Sequence, residues 1–215
     1  MVETSRCTIL YYRHRNNVMK KVLVMSIPHT GTEFVTEYLG FMDIMPLVFI
    51  RPAPAFIKHP SKHVLYHKHI GTYPNAKHYP NEHGIEEYAK ENCKVVIPLR
   101  HPVKNAISYV NRYKDMSLCK NNWKLLIDDI APNYDIYWLD IDIAQQRRYN
   151  MMNKLNEFLE RKPISDINFR KYVAKWNLVN HIKHSEPTET YDFNHLNFAT
   201  EWYDNKHTEL EKLYE

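Results

Sequence analysis

The chain has 215 residues, 44% hydrophobic and 25% charged, which suits one globular domain, residues 1–215, with a sizeable core. Its formal net charge of +4, without a block of five like charges, slightly favours anionic ligands and argues against nucleic acid as a partner. The longest apolar stretch, residues 44–50, is interrupted by Pro46, and residues 1–20 hold no long apolar run; neither a membrane partner nor a signal peptide is expected.

Cys7, Cys93 and Cys119 are odd in number, widely spaced and form no CxxC pair. Reduced thiols in a cytoplasmic protein are the simplest reading. Only four glycines are present, so each is expected where the backbone needs one.

In chain order, Lys21-Val-Leu-Val-Met-Ser26 reads as a buried strand. Pro28 and Gly31 mark a tight turn, and residues 32–39 follow at helical spacing, with Thr30 or Thr32 as cap and Glu33 in the positive first turn. Residues 41–60 carry four prolines and no clean period, so they read as irregular. Residues 63–70 predict a second strand, 71–83 a polar loop and 85–90 a short helix. Lys94-Val-Val-Ile-Pro-Leu99 is a third buried strand, and a helix starts at Pro102, where a proline is tolerated, and runs to about Tyr113. A helix over 122–129, a strand over 135–140 and an amphipathic helix over 143–159 follow. After Pro163 the tail is polar and aromatic, with a helix predicted over 198–214. Strands alternating with helices imply an α/β fold of three layers around a central parallel sheet of four or five strands.

Three clusters carry chemistry. In Ser26-Ile-Pro-His-Thr-Gly-Thr32 a strand feeds a Gly-containing turn and then a helix. Backbone N–H groups and the helix dipole converge there on an anion, and the hydroxyls of Thr30 and Thr32 are candidate donors. The GxxxxGK[ST] pattern is absent, and this segment alone is equally compatible with a plain strand-to-helix turn. In Pro98-Leu-Arg-His-Pro-Val-Lys-Asn-Ala-Ile-Ser108, Arg100 stands at a strand's C-terminal end, where open α/β sheets place ligands. Its planar fork suits a phosphate, and Ser108, eight residues on, adds a hydroxyl. Alone, these two residues read more simply as an arginine in a surface ion pair and a solvent-facing serine. His67-Lys68-His69 ends the second strand. An imidazole there is a candidate general base, although 13 histidines make close pairs commonplace.

Taken together, these segments resemble the PAPS-dependent sulfotransferases, where PAPS is 3′-phosphoadenosine 5′-phosphosulfate. Pro28-His-Thr-Gly-Thr32 looks like the family's PKSGT or PKTGT loop, and Arg100-His-Pro102 with Ser108 looks like its RxPxxxxxxS segment. The likeness covers residues 21–113, with a weaker continuation through 137–159. It implies a P-loop NTPase-like topology and transfer of a sulfo group from PAPS to a hydroxyl or amine of a small-molecule or glycan acceptor. It further implies that His29, Thr30, Gly31 and Thr32 hold the 5′-phosphosulfate, that Arg100 and Ser108 hold the 3′-phosphate, and that His69 is the base. No metal is implied.

Two positions depart from the pattern: His29 stands where the family has lysine, and Glu33 where it has a hydroxyl. An imidazole, with an unperturbed pKa of about 6.5, carries only part of a lysine's charge at neutral pH. In the catalytic role, His29 would follow the charge on the leaving phosphate. The departures motivate an alternative, a PAPS- or PAP-binding protein without turnover. A third reading is a zinc hydrolase, in which His67 and His69, alternating on one strand face, join a ligand such as His59, His63, His78 or His83.

Overall fold

The computed structural model describes residues 22–41, 48–49, 65–70, 94–113, 116–179 and 191–215. Its strands are β1, Val22–Ser26; β2, Val48–Phe49; β3, Leu65–His69; β4, Lys94–Leu99; and β5, Ile136–Asp140. They form a parallel sheet in the order β2-β3-β1-β4-β5. Strand β1 is buried along its whole length, and β4 over all but its first residue. Their continuous Val, Leu, Ile and Met runs are what a sheet covered on both faces demands.

Parallel neighbours need crossover connections, and among the described residues helices follow β1 and β4 before the next strand. Helix α1, Thr32–Phe41, leaves β1; α2, Pro102–Tyr113, leaves β4; α3 is Ser117–Leu125. Helix α4, Arg148–Phe158, leaves β5, and α5, Asp166–Val179, and α6, Asn197–Leu213, complete the described chain. Helix α1 packs on β1, β3 and α5, while α2 packs on α3 and α6, and α6 also meets β5. The core carries several tyrosines whose hydroxyls find internal partners. Tyr172 donates to the carbonyl of Phe34, Tyr137 to that of Met151 at 2.6 Å, and Tyr214 to that of Trp138 at 2.7 Å. Tyr38 accepts from the amide of Asn156 at 2.9 Å, and burial pushes its phenol up to about 12.

Strand order reverses at β1. The chain moves from β1 to β2 and β3 on one side, then crosses to β4 and β5 on the other. A crevice opens at such a point, beyond the carboxyl ends of the strands. The β1–β4 register runs only from Val22↔Lys94 to Val24↔Val96. It stops two residues short of Pro98, which has no N–H to give, while the β5 side of β4 stays paired to Leu99↔Asp140.

Several expectations shift. Residues 41–60, read as irregular, contain the two-residue strand β2. The helix expected over 122–129 is α3, starting at Ser117, and 126–130 continue it as a π turn closed by the Ala131 N–H on the Leu126 carbonyl at 2.8 Å. The helix expected from 143 starts at Arg148, because the Asp140–Asp142 turn and the 3₁₀ turn Gln145–Arg147 occupy the intervening chain. The tail after Pro163, read as polar and aromatic, holds α5, whose apolar side is Phe169 and Tyr172. Ser165 starts that helix: its Oγ accepts the Asn168 N–H at 3.3 Å, an N-cap contact three residues ahead. The short helix expected over 85–90 and the loop over 71–83 lie outside the described residues.

Candidate functional site: the turn after β1 and the start of α2

The turn from Ile27 to Gly31 is built by backbone strain and by close packing. His29 has φ +68° and Gly31 φ +95°. The first is a left-handed conformation that a non-glycine residue adopts at a cost of about 1–2 kcal/mol. A Cβ at Gly31 would sit 2.8 Å from Ile141 Cγ2, so this position requires glycine for both conformation and space. Thr30 is buried and its hydroxyl donates to the Ile27 carbonyl at 2.7 Å. Thr32, the first residue of α1, donates to the Ser26 hydroxyl at 2.6 Å. The first closes the turn on itself, and the second ties the start of α1 to the end of β1.

Four side chains from the β4–α2 segment close on the same turn. Asn105, fully buried, donates its amide to the Pro28 carbonyl at 2.6 Å and accepts the Trp123 indole N–H at 3.2 Å. Arg100 Nη1 lies 3.4 Å from the His29 carbonyl. Ser108 Oγ lies 3.3 Å from His29 Nδ1, and the imidazole meets the Tyr109 ring edge-on at 5.8 Å. Asn105, Ser108 and Tyr109 fall at i, i+3 and i+4 and so share one face of α2.

The result is a half-exposed guanidinium, a buried serine hydroxyl and an imidazole beside the N-terminus of α1, at the crevice of the sheet. An anion placed there meets the helix dipole and a planar fork of donors. Of the residues singled out in sequence, His29, Thr30, Gly31, Thr32, Arg100 and Ser108 all lie in this one region. His69 ends β3 opposite Ser26 in the ladder, and the Ile70 N–H donates to the Ser26 carbonyl at 2.7 Å. The backbone thus sets position 69 beside the entry to the turn.

Sequence reasoning missed Asn105, and with it Asp140 and Asp142 at the end of β5. The signal for Asn105 was present: an amide at i and a serine at i+3 on the inward face of an amphipathic helix ask for internal partners. Asp142 accepts the His101 N–H at 2.7 Å and the Lys104 ammonium at 3.1 Å, and His101 Nδ1 accepts the Val103 N–H at 3.2 Å. Those contacts satisfy the start of α2, where Pro102 has no N–H.

Among the described residues no group of three His, Cys, Asp or Glu side chains is arranged to hold a metal. His59, His63, His78 and His83 lie outside them. No described helix is long and apolar enough to cross a membrane.

No protein-family model matches the chain, and no curated protein matches it in sequence. Among solved structures it is similar to mouse sulfotransferase SULT7A1 complexed with PAP, with a TM-score of 0.50 and 14% identity, over 88% of this chain and 83% of that one. The fold is sulfotransferase-like. It is a mixed α/β arrangement with a parallel sheet, and the candidate anion site lies at the ends of its central strands.

Proposed function

We propose that this chain is a PAPS-dependent sulfotransferase, a single cytoplasmic domain that transfers a sulfo group to a hydroxyl or amine of a small-molecule or glycan acceptor. The observation that carries the proposal is the meeting of Arg100, Ser108 and the 27–31 turn at the crevice, within a fold similar to a sulfotransferase complexed with PAP. The fit rests on two features: the 27–31 turn leads into the N-terminus of α1, and Arg100, at the end of β4, and Ser108, on α2, both reach His29 in that turn.

PAPS supplies the activated sulfo group, and the protein has no covalent step of its own to perform. The work left to these residues is positioning and charge stabilisation. The 27–31 turn and the N-terminus of α1 take the 5′-phosphosulfate end, with His29 lending positive charge when protonated. Arg100 and Ser108 take the 3′-phosphate. His69, at the end of β3, is assigned the general base that removes the acceptor's proton.

One observation favours a second reading. His29 Nδ1 is already within hydrogen-bonding distance of Ser108, so the imidazole is held among the nucleotide-binding residues rather than free like a lysine ammonium on a long stem. A protein that binds PAPS or PAP and turns nothing over fits that arrangement. Incubation of the full chain with labelled PAPS and a broad acceptor panel separates the two. Transferred label supports the enzyme; PAP binding with no transfer to any acceptor supports the binding protein.

A further inference from the structure

Asp140, the last residue of β5, is fully buried. On α6, the Tyr203 hydroxyl lies 3.0 Å from each carboxylate oxygen, and one turn later His207 Nδ1 lies 2.5 Å from Oδ2. Asp140 Oδ1 also accepts the N–H of Asp142 at 2.8 Å. The Asp142 carboxylate then holds the His101 N–H, next to Arg100. The Tyr203 ring packs edge-on against the His101 ring, with centroids 5.3 Å apart. A continuous set of contacts thus runs from the C-terminal helix to the turn that presents Arg100.

A buried carboxylate is costly unless its lone pairs are satisfied. Asp140 has donors on α6 and in the turn after β5, so moving α6 would strip it of some of them. Because the acceptor for the His101 N–H comes from that same turn, the start of α2 is fixed by β5 and α6 as well as by its own helix.

We propose that Tyr203, Asp140 and Asp142 are positioning residues through which the C-terminal helix sets the 100–104 turn and, with it, the grip of Arg100 on a phosphate. For the identity of the ligand this rests on the nucleotide reading above. Loosening the Tyr203–Asp140 contact weakens binding of a nucleotide that carries a 3′-phosphate and spares one that lacks it.

The test uses the full chain and Tyr203→Phe, Asp142→Ala and Asp142→Asn, with two readouts. Amide hydrogen exchange is followed at His101 and Val103, with the amides of α4 as internal control, and the affinities for PAP and 5′-AMP are measured by calorimetry. Tyr203→Phe and Asp142→Ala are expected to speed exchange at His101 and Val103 on the order of tenfold, with α4 unchanged, and to weaken PAP by a similar factor while leaving AMP alone. Asp142→Asn keeps a side-chain acceptor for the His101 N–H and should restore most of both. If Tyr203→Phe does not fold, the half-buried Asp142 pair carries the test. Unchanged exchange at His101 and Val103, or an equal rise in α4, overturns the proposal, as does a loss of PAP affinity matched by AMP. If the wild-type chain shows no preference for PAP but the local exchange response is intact, the nucleotide reading falls and the positioning role stands.

Discussion

The Nδ1 of His29 lies 3.3 Å from the hydroxyl of Ser108, so the turn after β1 and the second turn of α2 meet side chain to side chain. With Arg100 on the His29 carbonyl, both candidate segments read from the sequence meet at a single residue. That residue is one of the two, with Glu33, that depart from the sulfotransferase pattern the sequence resembles.

If His29 supplies the positive charge at the phosphosulfate end, His29→Lys should retain transfer and His29→Ala should lose roughly 10²–10³-fold in kcat. Steady-state kinetics with an acceptor found in the panel reads this directly. Full turnover by His29→Ala would assign the charge elsewhere, to the turn's backbone N–H groups and another cation such as Lys68.

Asn105 is expected to matter to stability before it matters to chemistry. Asn105→Ala leaves the Pro28 carbonyl and the Trp123 indole N–H without this partner in the interior. The expected loss is about 1–3 kcal/mol in urea unfolding. Asn105→Asp should be worse, because a carboxylate would face the Pro28 carbonyl. A variant as stable as wild type would show that the clamp contributes nothing net.

Gly31 tests the turn from another side. Gly31→Ala places a methyl against Ile141 and an L-residue at φ +95°. About 1–3 kcal/mol of destabilisation is expected. In a double-mutant cycle, Ile141→Ala should recover the steric share and leave the backbone share. Complete recovery would show that the conformation itself costs nothing.

Asp140 gives a pH signature. Burial raises its carboxyl above the ordinary 3.8, against the opposing hydrogen bonds of His207, the Asp142 backbone and Tyr203. The folded protein therefore binds this proton more readily than the unfolded chain. The contribution is fully present below about pH 3.8 and is lost as pH rises through the raised folded value. Wild type should lose stability relative to Asp140→Asn across that window, measured by urea unfolding at a series of pH values. A difference that is flat with pH, or that moves toward wild type as pH rises, contradicts the assignment.

How much of this was legible in the sequence varied with the kind of residue. The buried strands at Val22–Ser26 and Lys94–Leu99 were readable because unbroken apolar runs bounded by polar or turn residues have few other uses. The turn around Gly31 was readable because strand ends constrain where a helix can start, whereas the Arg100–Ser108 spacing stood out only through its resemblance to the sulfotransferase segment. What stayed hidden depends on partners distant in sequence. Asp140 looks like an ordinary strand-terminal aspartate until α6 brings Tyr203 and His207 to it, 63 and 67 residues later. Helix α5 was hidden because aromatic and charged residues masked its apolar stripe, although Ser165 marked its start. The two-residue β2 is too short to leave any period at all.

The central claim is that Arg100 and Ser108 grip a 3′-phosphate. The most direct measurement is a thermal-shift titration of the full chain with PAP and with 5′-AMP, repeated on Arg100→Ala. A ligand that binds only the folded state raises the melting temperature by mass action. The account predicts a larger shift for PAP than for AMP, and a difference that largely disappears in Arg100→Ala, as expected for a charge-assisted contact of roughly 1.5–3 kcal/mol. Equal shifts for PAP and AMP in the wild-type chain, or a PAP preference undiminished in Arg100→Ala, would contradict it.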